Sequence, residues 1–220
     1  MIPIRDNVPS ATFPFVTWTL IAVNVAVFGY EAQLGGAVER FFDEFGLVPV
    51  RFHSSDDALA RWLPVFTSMF LHGGLAHLVG NMLYLHIFGD NVEDRMGHGR
   101  FLGFYVFCGL VAALAQTLLF PTSRLPMVGA SGAIAGVTGA YFVNFPTARV
   151  LTVVPIFFYV QVFYVPAIVF LLLWFVMQLA YGAAAIGVEG ADAGGVAWWA
   201  HVGGFVAGMI LGRLLVRRRR

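Results

Sequence analysis

Long apolar runs separated by short polar segments dominate the chain and predict membrane-spanning helices. A helix needs about 20 mostly apolar residues to cross the hydrocarbon core of a bilayer. Pro155 and Pro166 interrupt one run that is too long for a single span, because proline breaks the hydrogen-bond ladder of a helix. The pattern therefore predicts six spans, over residues 13–30, 66–88, 101–120, 131–145, 165–181 and 196–216.

The connections between these spans are short, with two exceptions. Residues 31–65 form a long first loop of mixed polarity, and we expect residues 150–164 to be an irregular or re-entrant connection. We find no separate soluble domain, so the expected organisation is one membrane domain over residues 1–220. The predicted fold class is an all-α polytopic membrane protein, a bundle of six transmembrane helices.

Composition supports a membrane environment. The chain is 59% hydrophobic and only 11% charged, with a mean hydropathy of +0.80, whereas soluble domains carry about 25% charged residues. Lipid is therefore an expected partner, and no nucleic-acid partner is expected. The single cysteine, Cys108, excludes an intrachain disulfide and is interpreted as a small buried apolar residue.

The distribution of arginine predicts the orientation. Six spans place both termini on one side, and cytoplasmic loops of membrane proteins are enriched in basic residues. If the termini are cytoplasmic, that side holds nine arginines and the opposite side four. The nine are Arg5, Arg95, Arg100, Arg149, Arg213 and Arg217–Arg220, and the four are Arg40, Arg51, Arg61 and Arg124. We expect a prokaryotic cell (inner) membrane protein with cytoplasmic termini.

Polar side chains at membrane depth are costly and are therefore candidates for a functional site. His77 and Asn81 lie four residues apart in the second span and share one helix face. Ser131 begins the short fourth span, and His201 lies about one turn into the last. Taken singly, such a serine usually bonds its own helix and such a histidine ties two helices together.

Together, these residues supply the groups required for acyl transfer. Serine needs a base to become a nucleophile, and histidine titrates in the right range. The side chains of His77 and Asn81, with the backbone N–H of Ser131, are candidate donors to an oxyanion. We interpret Ser131 as the nucleophile and His201 as the general base.

Small residues are spaced four apart in both of the helices that carry this pair. Gly132, Gly136 and Ala140 form one ridge, while Gly204, Gly208 and Gly212 form another. Packed helix axes usually lie 8–10 Å apart, yet a serine and a histidine must approach within about 3 Å. We therefore expect the two ridges to meet and bring His201 towards Ser131, although such spacing alone is weak evidence.

The chain resembles the rhomboid intramembrane serine proteases along nearly its whole length. Four motifs occur in order: "FTSMFLHGGLAHLVGNMLYLHIFGDNVEDRMG", "GASGAIAG", "FPTARV" and "WWAHVGGFVAG". The resemblance implies a serine–histidine dyad of Ser131 and His201 without an acidic third member, and matches His77 and Asn81 to the oxyanion-stabilising positions. It further implies six helices around a short fourth one, and a water-filled cavity open to the extracytoplasmic side.

Other positions carry weaker expectations. Arg61-Trp62 stands in the reverse order of a tryptophan–arginine pair found in many family members, so that pair's role is not transferred. Glu93 and Arg95 match a family motif and are interpreted as structural. The Gly/Ala-rich segment Ala183–Ala197 is expected, with the fifth helix, to gate substrate entry. A zinc site of His72, His77 and His201 is a minor alternative, because no carboxylate lies at ligand spacing.

The predicted function is hydrolysis of peptide bonds in or near transmembrane segments of protein substrates, without metal or cofactor. Two alternatives remain at this point. A non-catalytic rhomboid-like protein would bind membrane clients without cutting them, but such proteins lack the serine or the histidine. A small transporter would show an internal repeat or a path of paired ionisable groups, and the sequence has neither. The sequence indicates neither the oligomeric state nor the natural substrate.

Overall fold

The computed structural model of the chain describes residues 1–156, 159–186 and 196–216. These residues are mostly helical, and short 3-10 turns at Gly35–Ala37 and Ser68–Phe70 connect some of the helices. The helices are α1 (Phe15–Glu31), α2 (Val38–Phe45), α3 (Pro49–Ser54), α4 (Ala58–Thr67), α5 (Leu75–Met96), α6 (His98–Leu119), α7 (Ser131–Asn144), α8 (Ala167–Ala185) and α9 (Trp198–Leu215).

Length and composition identify some of these helices as candidate membrane spans. Among the described residues, α6 and α8 are each long and apolar enough to cross a bilayer. Two bent pairs qualify when each is taken as one span, which raises the total to four: α1 with residues 35–45, and residues 58–70 with α5. Helix α7 has 14 residues and α9 has 18. The count of six crossings therefore stays a prediction.

The region between the first and second predicted spans is more ordered than expected. Residues 31–65 contain α2, α3 and most of α4. Asp57 caps α4 by accepting a hydrogen bond of 2.9 Å from the backbone of Leu59, and Pro49 occupies the first turn of α3, where its missing N–H is tolerated. Local capping chemistry thus builds helices in a stretch that hydropathy alone leaves as a loop.

The connection before the fifth predicted span is a β-hairpin, so the prediction of an irregular or re-entrant segment over residues 150–164 was wrong. Strands β2 (Arg149–Ile156) and β3 (Tyr159–Pro166) pair antiparallel, and β1 (Ile2–Asp6) pairs antiparallel with the other edge of β2. The prediction of an all-α fold was therefore wrong for these three strands, although the described residues are mostly helical. The reason lies in composition, because both hairpin strands are rich in the β-branched and aromatic residues that favour extended backbone.

A polar network ties the N-terminal segment to the end of α5. Glu93 is fully buried and accepts hydrogen bonds of 2.8 Å from the backbones of Val16 and Thr17 and one of 2.5 Å from His98 Nδ1. It therefore caps the first turn of α1, where a carboxylate complements the free N–H groups. The Arg95 guanidinium lies 5.0 Å above the Phe145 ring. Both residues are thus held in structural contacts.

Helix α7 lies at the centre of the molecule. Every residue from Ala133 to Tyr141 is buried, and the helix contacts α5, α6 and α9. The Tyr141 hydroxyl also donates a hydrogen bond to Asp6 of β1, where burial raises the pKa of the carboxyl to about 6. The central position fixes the first residue of α7, Ser131, relative to all three neighbouring helices.

Candidate active site

The side chains of Ser131 and His201 meet across two helices. Ser131 is the first residue of α7, and His201 lies in the first turn of α9. The serine Oγ is 2.8 Å from the imidazole Nε2, which is hydrogen-bond distance. A hydroxyl and an imidazole in this arrangement can transfer a proton.

Glycine lets the two helix backbones approach closely enough for this contact. A Cβ added to Gly204 would overlap the carbonyl oxygen of Gly132, and one added to Gly208 would overlap that of Gly136. Further along, a Cβ on Gly212 would lie 2.7 Å from Cα of Ala140. The two small-residue ridges therefore face each other along the whole contact between α7 and α9.

The second nitrogen of the same imidazole has a partner from a third helix. His201 Nδ1 lies 2.8 Å from Oε1 of Gln178 on α8, and Gln178 is 4% exposed. Gln178 was not predicted as a site residue. A signal was present, because Gln178 is the sole amide or charged side chain in the predicted span 165–181.

His77 and Asn81 both line the cavity that contains the serine. The Asn81 amide nitrogen is 2.9 Å from Nε2 of His72, so one of its two N–H groups is directed there. His72 is buried, and the Glu31 carboxylate accepts a hydrogen bond from its backbone N–H at 3.2 Å. His72 therefore holds Asn81 in place, a supporting role that spacing in the sequence does not reveal.

Gly129 creates space beside the serine. Its φ is +130°, a conformation that side-chain-bearing residues rarely adopt. A Cβ at this position would lie 2.8 Å from His77 Nε2 and 3.5 Å from Ser131 Oγ. The two polar atoms thus flank a volume that is empty because residue 129 has no side chain.

The backbone at the start of α7 adds further donors. The first N–H groups of an α-helix have no acceptor within the helix, and the positive end of the helix dipole lies there. In α7 the helical bonding begins with Ile134 N donating to Ala130 O at 3.0 Å. The amides of residues 131–133 therefore precede the first helical bond. An anion next to Ser131 would be stabilised by these groups.

An open cavity of about 520 Å³ surrounds the pair. Its lining includes Ser131, His201, His77, Asn81, Trp174 and Met127. The Trp174 ring lies 5.8 Å from the His201 ring, measured between centroids. The cavity thus combines apolar walls with convergent polar groups, as small-molecule and peptide sites generally do.

The remaining sequence candidates lie elsewhere. Arg61 donates to the backbone of Ser55, and Trp62 packs edge-on against Phe52 at 5.3 Å, so this pair holds the first-loop helices together. Within the described ranges, no group of three histidine, cysteine or acidic residues is placed to hold a metal ion. The proposed gate, Ala183–Ala197, falls mostly on residues 187–195, which lie outside the described residues.

Comparison with known proteins agrees with the resemblance read from the motifs. Three relatives are Rhomboid protease GluP of Bacillus subtilis (34% identical over 58% of this chain), the mitochondrial Rhomboid protein 1 of Saccharomyces cerevisiae (29% over 90%) and RHOMBOID-like protein 5 of Arabidopsis thaliana (31% over 72%). The alignments span 24%, 52% and 45% of these relatives' own lengths.

A family model covers most of the chain. The rhomboid domain model matches residues 59–218, which contain the serine, both candidate oxyanion side chains and the histidine. The matched segment extends from the first-loop helix α4 to the end of α9. The chain therefore belongs to the rhomboid family of membrane proteins.

Proposed function

We propose that the chain is an intramembrane serine endopeptidase that cleaves membrane-protein substrates in or near their transmembrane segments. The observation that carries the proposal is the distance of 2.8 Å between Ser131 Oγ and His201 Nε2 inside an open, partly polar cavity. Serine alone is a weak nucleophile, and an adjacent base is what makes it reactive.

The reaction begins when Ser131 Oγ attacks the carbonyl carbon of the scissile peptide bond. The hydroxyl proton passes to His201 Nε2, and the carbonyl oxygen becomes an oxyanion. The imidazolium then gives the proton to the leaving amide nitrogen as the C–N bond breaks, which leaves an acyl-enzyme ester. Water, deprotonated by the same imidazole, hydrolyses the ester and regenerates the serine.

The developing oxyanion needs donors that are already in position. We assign this role to the backbone N–H of Ser131 and to the side chains of His77 and Asn81. The empty volume beside Gly129 supports the assignment, because it lies between His77 Nε2 and Ser131 Oγ. Asn81 has two amide hydrogens, so the bond to His72 leaves one for the substrate.

The proposed membrane arrangement has six crossings, both termini in the cytoplasm and the cavity open to the extracytoplasmic side of a prokaryotic inner membrane. The arginine distribution supports this orientation. Substrate helices with small or helix-breaking residues should be preferred, because a peptide bond in an intact helix is shielded by its own hydrogen bonds. The fifth predicted span, α8, is the proposed lateral entry side.

A serine-reactive fluorophosphonate tests whether Ser131 is an activated nucleophile. We expect the detergent-solubilised wild-type protein to be labelled, Ser131→Ala to be unlabelled and His201→Ala to be labelled much more slowly, because the hydroxyl then lacks its base. Gel fluorescence at several time points measures the labelling rate.

Ser68→Ala is the matched control for the labelling experiment. Ser68 is also buried, but its hydroxyl contacts the backbone oxygen of Val65 at 3.4 Å and has no histidine partner. This variant should be labelled like the wild type. Equal labelling of all four proteins would refute the enzymatic proposal and favour a non-catalytic, client-binding member of the family.

A further inference from the structure

We infer that Gln178 is a positioning residue that fixes the tautomer of His201 and thereby keeps Nε2 ready to accept the serine proton. Its catalytic consequence rests on the proposed function, whereas the tautomer is a property of the protein that can be measured without any cleavage. Gln178 belongs to α8, so the arrangement brings together side chains from three different helices.

The orientation of the Gln178 amide follows from its own hydrogen bond. The amide nitrogen donates to the carbonyl of Trp174, 3.3 Å away and one turn earlier on α8. The amide oxygen then faces His201 Nδ1 at 2.8 Å. Because the side chain is 4% exposed, little water is available to compete for either contact.

An amide oxygen can only accept a hydrogen bond, so Nδ1 of His201 must carry the hydrogen. A neutral imidazole protonated on Nδ1 has its lone pair on Nε2. That lone pair faces Ser131 Oγ at 2.8 Å, where a base is required. The opposite tautomer would place hydrogen on Nε2 and an unfavourable pair of acceptors between Nδ1 and Gln178.

Gln178 thus performs one of the two tasks of the acidic member in a catalytic triad. It orients the ring and selects the tautomer, but as a neutral group it offers the imidazolium less electrostatic stabilisation than a carboxylate would. The chain has Gln178 at this position, and its buried site suits a neutral group, since an unpaired buried charge is costly.

Nitrogen NMR of the ring tests the tautomer directly. In Ser131→Ala protein with ¹⁵N-labelled histidine, His201 no longer has a hydroxyl partner, so the ring reports Gln178 alone. We expect shifts typical of Nδ1–H, assigned by comparison with a variant that also carries His201→Ala. Adding Gln178→Met should remove this preference. A ring protonated mainly on Nε2 in Ser131→Ala protein would overturn the inference.

Kinetics of the otherwise wild-type enzyme test the catalytic consequence. Gln178→Met should lower kcat by about tenfold or more with little change in KM, because the base is present but wrongly protonated. Gln178→Glu restores an acceptor and should recover part of the lost kcat. A carboxylate also favours the imidazolium, so the acidic limb of the kcat/KM profile should move to higher pH.

Met177→Leu is the matched control, because Met177 is the neighbouring residue on α8 but is 43% exposed, whereas Gln178 is buried. It should match the wild type in both measurements. If Gln178→Met and Gln178→Glu were equally impaired and the pH profile did not move, Gln178 would have a merely structural role. An absence of proteolysis in the wild type would refute the proposed function and leave the NMR result readable.

The β2–β3 hairpin exposes large apolar side chains. We propose that the exposed part of β3, the hairpin surface Tyr159–Tyr164, rests in the headgroup region of the membrane that contains the protein. Tyr159, Val160, Val162 and Phe163 are between 46% and 73% exposed. Tyr159 and Phe163 share one face of the strand with the exposed Gln161, and Val160 and Val162 lie on the other, so both faces expose apolar side chains.

Strand β3 is continuous with the candidate span α8, which supports lipid as the partner that covers the hairpin surface. Strand β3 ends at Pro166 and α8 begins at Ala167, with no residue between them. The outward face of α8 is apolar as well, with Ile168, Val169, Leu172, Leu173 and Val176 exposed. The hairpin therefore ends at the first residue of a candidate membrane span, which would place it next to the bilayer surface.

The backbone of β3 indicates how deep the hairpin surface lies in the bilayer. β3 is an edge strand, since the strand order is β1-β2-β3, and within the described part of the chain its outer N–H and C=O groups have no partner strand. Such groups are not stable in hydrocarbon, but they are satisfied at the hydrated interface, where tyrosine is also enriched. Arg5 and Arg149 are exposed near the base of the sheet and suit anionic headgroups.

Spin labels measure this depth. In a Cys108→Ala background reconstituted in phosphatidylethanolamine–phosphatidylglycerol vesicles, we expect labels at Val160→Cys and Val162→Cys to have oxygen and nickel-chelate accessibilities that lie between those of a label in hydrocarbon and those of a label in water. Leu172→Cys serves as the lipid-exposed reference and Glu44→Cys as the water-exposed one. Nickel accessibility equal to that of residue 44 would overturn the proposal. So would spin–spin broadening that disappears on dilution with unlabelled protein, which indicates pairing between two copies.

Discussion

Replacing Ser131 with alanine should reduce cleavage of a transmembrane substrate by a factor on the order of 10³ or more, as loss of a nucleophile does in serine proteases. The substitution removes one oxygen at the start of α7 and leaves the glycine packing of that helix unchanged. We therefore expect normal thermal stability. Cleavage of a fluorescent transmembrane substrate in proteoliposomes, followed by electrophoresis, measures the effect.

His201→Ala and the double variant test, in the same assay, whether Ser131 and His201 act together. His201→Ala should lose a comparable factor, and the double variant should lose no more than either single one, because the two groups act as a unit. Substrate binding should persist in Ser131→Ala, since the cavity walls are intact. A variant that lacks the hydroxyl and still cuts at the wild-type position would refute the role of Ser131.

Gly208→Ala is expected to have the largest effect on the fold. The added methyl group would overlap the carbonyl oxygen of Gly136 and lie 2.6 Å from its carbonyl carbon, and neither is a flexible side-chain end that could move aside. Overpacking of this kind costs about 1–3 kcal/mol. If α9 moves away from α7 instead, a displacement of about 1 Å between reacting groups lowers the rate by about 10²-fold.

Gly103→Ala is the control for this substitution. Gly103 also lies within a helix, α6, but apart from its own turn of the helix no atom of the described residues is within 4 Å of the position that its Cβ would take. Alanine there should raise stability by about 0.5–1 kcal/mol through helix propensity. Thermal denaturation in detergent and the cleavage assay, applied to both variants, separate tight packing from a general effect of alanine. Equal behaviour of the two variants would contradict the close contact of α7 and α9.

The bounds of several helices could be predicted because apolar residues and helix length are linked by the thickness of a bilayer. Residues 101–120 and 131–145 were predicted as spans, and the structure has helices at His98–Leu119 and Ser131–Asn144. The start of α5 was predicted nine residues too early. The stretch "FTSMFLHGG" was included in the second predicted span because it is mostly apolar, but Gly73 and Gly74 separate it from the helix that begins at Leu75.

Contacts over long sequence distances could not be predicted. Glu93 caps α1 from 76 residues away, and no local pattern pairs these positions. The hairpin was missed because a run of valine and phenylalanine has high hydropathy in either a strand or a helix. Gln178 was visible as an isolated amide, but its alignment with His201 depends on the rotation of α8 about its axis. Hydropathy does not specify that rotation.

The sheet has a consequence for biosynthesis. Ile2 pairs with Val153, so β1 leaves the ribosome about 150 residues before its partner strand exists. At translation rates of roughly 5–20 residues per second, β1 waits on the order of ten seconds. Closure of the sheet must therefore follow the synthesis of α7, so residues 2–6 reach their final positions only after the helix at the centre of the molecule has been made.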